Sequence, residues 1–144
     1  MPGNLDPIYS RRGQVSNNGT TGMNQLVTAA ANDYTGISAN NSLIFTADAT
    51  NGSFVQRIRF KAGGTNVATV ARIYINNGSI ATTAANNVFY AEISLPATTA
   101  IATAATIDLD YPLNFALQLG FRLYFGLGTA VAAGWVATVI AGDY

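Results

Sequence analysis

Apolar and polar positions alternate along most of this chain. Residues 53–62 show the pattern most plainly. Phe54, Ile58 and Phe60 fall on one phase, and Val55, Arg57, Arg59 and Lys61 on the other. A period of two belongs to a strand with one face on a core. Residues 67–76 repeat it, with Val67, Thr69, Ala71, Ile73 and Ile75 in phase. Further strands are predicted at 25–31, 42–47, 88–95, 114–119, 121–127 and 135–141. Between them lie turn signals: 48–52, Gly63-Gly64-Thr65-Asn66, Asn77-Gly78, Pro96 and Tyr111-Pro112. Residues 97–106 mix Ala, which favours helix, with Thr and Ile, which favour strand. No capped helical stripe is present, so the segment reads as loop passing into strand through Ile107 and Leu109.

About eight short strands at this spacing, with no helix, predict an all-β fold, either a two-sheet sandwich or a barrel. The count favours a jelly-roll-like sandwich, although the pattern does not give the strand order. The first 24 residues differ. Pro2, Gly3, Pro7, Gly13, Gly19 and Gly22 interrupt them, and large apolar residues are sparse. The predicted organisation is an extended N-terminal arm at 1–24 and a sandwich at 25–144. Within the arm, Leu5, Ile8 and Tyr9 precede Arg11-Arg12. This spacing suits an extended segment laid on another subunit, with apolar anchors in pockets and arginines on carboxylates.

Composition narrows the function. Hydrophobic residues make up 49% of the 144 residues but charged ones only 10%, and the formal net charge is zero. A surface so poor in charge suits contact with other protein copies. It gives no electrostatic reason to expect nucleic acid or an anionic membrane as partner. No apolar stretch approaches the length of a membrane helix. Residues 1–10 lack the apolar run of an export signal. The Asn-x-Ser/Thr matches at Asn18, Asn40, Asn51 and Asn77 are therefore read as turn chemistry rather than glycosylation sites.

Histidine and cysteine are both absent. Their absence removes the Ser-His-Asp arrangement, thiolate nucleophiles and the usual zinc ligands. No phosphate-binding glycine loop is present. Asp108 and Asp110, two apart, would share one strand face. They could act as a glycosidase pair or hold a cation, but a charged edge strand explains them more simply. No enzyme activity, cofactor or metal is expected. Arg57, Arg59 and Lys61 form a basic stripe, with Arg72 expected beside it on the next strand. This stripe is read as a contact for a protein partner or as a solvated face. Phe54, Phe60, Tyr74, Phe89, Phe121, Phe125 and Trp135 are assigned chiefly to the core.

The run from Asn51 to Phe60, then Gly64-Thr65-Asn66, the segment from Val70 to Asn76, Glu92-Ile93-Ser94-Leu95-Pro96-Ala97 and Gly142-Asp143-Tyr144 resemble small virion structural proteins of tailed bacteriophages. The resemblance covers about residues 42–144. It implies a capsid decoration or cement role on the head surface, often as trimers, with the major capsid protein or another virion protein as partner. It also implies synthesis in the host cytoplasm and a final place in the virion. The alternative is a receptor- or glycan-binding module of a phage fibre, which would display Trp and Tyr on its surface.

Overall fold

A computed structural model of the chain describes residues 10–16 and 26–144. Nine strands are present among them: β1 (Arg12–Val15), β2 (Leu26–Val27), β3 (Ser42–Thr46), β4 (Ser53–Ala62), β5 (Thr69–Asn76), β6 (Asn87–Leu95), β7 (Asp108–Leu117), β8 (Arg122–Leu127) and β9 (Trp135–Asp143). The one helical turn among the described residues is a 3-10 turn at Ala84–Asn86. No described helix is long and apolar enough to cross a membrane.

The strands form two antiparallel sheets. The first has the order β1-β9-β4-β7, with β2 also on β9; the second has the order β3-β8-β5-β6. β5 pairs with β6, β4 with β7, β3 with β8 and β2 with β9. The pairs nest like one long hairpin wound across two layers. The expected sandwich is thus the observed architecture.

The core lies between the layers. Val55, Ile58, Phe60, Trp135 and Val139 from the first sheet meet Ile44, Phe45, Ile73, Leu123, Phe125 and Leu127 from the second, all fully buried. The rings of Phe60 and Phe125 pack 5.5 Å apart across the layers. Burial of each such side chain contributes roughly 1.5–3 kcal/mol. The two Asn-Gly turns form as expected: Gly52 and Gly78 have φ of +78° and +88°. A side chain at Gly52 would also meet the Leu117 carbonyl.

Four sequence expectations change. The register of β4 slips between Val55 and Arg57 against both neighbours. This bulge reverses the phase, so Val55 points inward and Phe54 outward, at 36% exposure. Tyr111-Pro112 does not interrupt a strand: β7 runs through it, because β7 is an edge strand and spares an N–H on its open side. Residues 12–15, assigned to the arm, add a short strand to the first sheet. Arg72 lies in the other sheet from the basic stripe, because the chain crosses layers between β4 and β5.

Candidate interaction surfaces

The outer face of the first sheet carries the basic stripe. Arg57, Arg59 and Lys61 all point outward from β4, as their phase predicts after the bulge. Asp108 and Asp110 point outward from β7, on the sheet's open edge. Lys61 lies directly opposite Asp108 and Arg59 opposite Asp110. Both cations reach Asp108: Arg59 bonds one carboxylate oxygen, and Lys61 Nζ lies 3.1 Å from the other. Lys61 also donates to the Thr106 carbonyl at 2.6 Å. The bond from Lys61, with the charges of both cations, holds the Asp108 carboxyl below its ordinary range. A glycosidase acid needs the opposite shift. Arg57 has no ionic partner among the described residues. A shallow depression of about 200 Å³ is lined by Ser10, Phe54, Gln56 and residues 140–142.

A second feature joins the two ends of the described chain. Asp143, buried at the end of β9, accepts bonds from Ser53 Oγ at 2.5 Å, Gln14 Nε2 at 2.6 Å, and Arg12 Nη2 and Nε at 2.8 and 3.2 Å. Burial opposes ionisation of Asp143, but the bonds from Ser53, Arg12 and Gln14 outweigh it and hold the carboxyl below its usual range. The sequence pattern puts Arg12 on a carboxylate of another subunit; here the carboxylate belongs to its own chain. The Arg11 amide donates to the Asp143 carbonyl, and its side chain is exposed. Leu5, Ile8 and Tyr9 lie outside the described residues.

The outer face of the second sheet is roofed. Residues 31–41 lie over β5, where Asp33 accepts amide bonds from Thr35, Gly36 and Ser38. Beneath, Arg72 is 5% exposed. It bonds Glu92 at 3.0 Å and Tyr34 Oη at 3.1 Å, with its guanidinium 4.2 Å from the Tyr34 ring centre. Tyr74 donates to the Asp33 carbonyl at 2.6 Å. Burial, with Asp33 nearby, pushes its hydroxyl up to about 12. Sequence reasoning missed this roof, because the segment has no alternation. Its one signal is the Asp33-x-Thr35-Gly36 turn chemistry.

The open edge of the second sheet is different again. Among the described residues, β6 is unpaired along one side. On β6 Val88 is 60% exposed and Phe89 and Tyr90 are also exposed; outside it Ile80, Ile101 and Ile107 expose apolar side chains. Residues 80–107 contain a single charge, Glu92, and Arg72 engages it. Trp135 and Tyr74, whose exposure would have favoured a glycan-binding module, are fully buried. No family model, curated protein or solved structure matches the chain.

Proposed function

We propose that this protein is a non-catalytic structural sandwich that acts by binding other protein subunits. The observation that carries this reading is the edge strand β6, with the 96–107 stretch that follows it in sequence. Val88 and Tyr90 on β6 and Ile101 and Ile107 after it are exposed, Glu92 is the one charge and Arg72 engages it, and one side of β6 has no strand partner among the described residues. Isolated chains protect such edges with charge or cover. β7 has that protection, in Asp108, Asp110 and Pro112, whereas β6 does not.

More narrowly, the protein is a decoration or auxiliary capsid protein of a tailed bacteriophage, assembled as a homo-oligomer, with trimers favoured, on the major capsid protein. The nested strand pairing supports a jelly-roll reading of the sandwich, an architecture used in capsid proteins. Many identical copies on a symmetric shell would give avidity from weak single contacts. The experiment is to change Val88 and Ile101 to Lys. Both side chains are exposed, so the melting temperature should hold. Self-association in sedimentation and occupancy on undecorated particles should both disappear. Unchanged association and occupancy would overturn the reading.

A further inference from the structure

Among the described residues, β1 is attached to its sheet almost wholly by polar contacts. Val15 is 47% exposed and Arg12, Gly13 and Gln14 add no apolar burial. The strand is held by ladder bonds to β9, by Ser16, and by the Arg12 and Gln14 bonds to Asp143. The receiving edge does not need β1 for its shape. β9 pairs with β4 from Asp143 to Trp135, and Ser53 fixes the Asp143 carboxylate from the other side. Downstream, β2 grips β9 independently, with Val27 buried in the core. The link is also generous. Ser16 lies opposite Val139 and Leu26 opposite Val136, three residues of β9 or about 10 Å apart. The nine intervening residues, 17–25, can span about 30 Å.

We infer that β1 is an exchangeable strand: when copies of this chain are held close together, residues 11–16 of one copy occupy the β9 edge of another. The occupant is a second copy, because the site selects what β1 carries. Arg12 is charge-complementary to Asp143 and Asp48, and Gln14 completes the carboxylate's bonds. Each bond that β1 gives up in its own subunit it remakes in the next, so close packing alone tips the balance. The inference needs copies to meet but not a virion, and its test runs on the purified chain. Its failure is therefore distinguishable from failure of the assembly reading.

Val15 and Ile140 are direct partners across the ladder, and the chain has no cysteine of its own. Two single variants, Val15→Cys and Ile140→Cys, are mixed, concentrated and oxidised. A disulfide dimer containing one of each is expected, reversed by reductant and absent when either variant is oxidised alone. Asp143→Asn in both chains should speed its appearance about tenfold, because exchange passes through the released strand. The double variant in one chain reports the unexchanged pairing. If it closes on itself while the mixture gives no mixed dimer at any concentration, β1 does not exchange. The pair Gln14→Cys and Ala141→Cys, also directly opposed, repeats the test should the first pair fail to close in either arrangement.

Discussion

The outer faces of the two sheets place arginines at similar alternating positions and use them in opposite ways. On the first sheet, Arg59 and Lys61 share Asp108 in water, with side chains between 36% and 49% exposed. On the second, Arg72 is covered by the 31–41 segment and satisfied by Glu92, Tyr34, Asn32 and the Asp33 carbonyl. Alternation sets which way a side chain points. What lies above it decides the energy, because a charge removed from water must be fully partnered, whereas an exposed pair gains little over hydration.

The largest break in that contrast comes at Arg72. Arg72→Ala leaves Glu92 and the roof's acceptors without their donor and opens a space beneath Tyr34. It should cost about 3 kcal/mol in denaturant unfolding. A loss no larger than at an exposed arginine would show that the roof does not depend on it.

Acid should act next, and it links the roof to the β9 clasp. Burial opposes ionisation of Asp33, but the amides of Thr35, Gly36 and Ser38 outweigh it and lower its pKa; Asp143 is lowered likewise. A carboxyl with a depressed folded value contributes stability above the unfolded value of about 4, and loses it as pH falls through the folded value. Thermal stability should therefore be flat near neutrality and fall below about pH 4. Asp143→Asn should flatten part of that fall. Below it in size is Tyr74→Phe, which removes only the bond to the Asp33 carbonyl and should cost about 1 kcal/mol.

The same contrast shows what was legible in the sequence. Strands β4, β5 and β8 lie close to where alternation put them, because each has one face on the core. Alternation carried the phase of β4 only from the bulge onward, and the bulge is set by a backbone register that no residue type announces. β1 was hidden because an edge strand without buried side chains has no apolar period. The Arg72 site was hidden because β4 and β5 are neighbours in sequence but belong to different layers. The outward direction of the stripe at 57, 59 and 61 and of Asp108 and Asp110 was readable; that the two groups answer each other across β4 and β7 was not.

The smallest stability effects belong to the stripe itself, and there they separate two roles. Arg59→Ala and Lys61→Ala each remove one arm of an exposed pair and should change stability by less than about 0.5 kcal/mol. Arg57 forms no ion pair among the described residues, so the effect of Arg57→Ala should be smaller still. Binding reverses this order. Asp108 already occupies Arg59 and Lys61, so a partner's carboxylate gains most from Arg57. If this face meets an acidic neighbour, Arg57→Glu should lower occupancy on particles and weaken its dependence on salt, with Arg59→Glu adding less. Occupancy measured at low salt decides it. Equal occupancy for wild type, Arg57→Glu and the double variant would make the stripe a solvated face, and would leave the apolar β6 edge as the proposed binding surface.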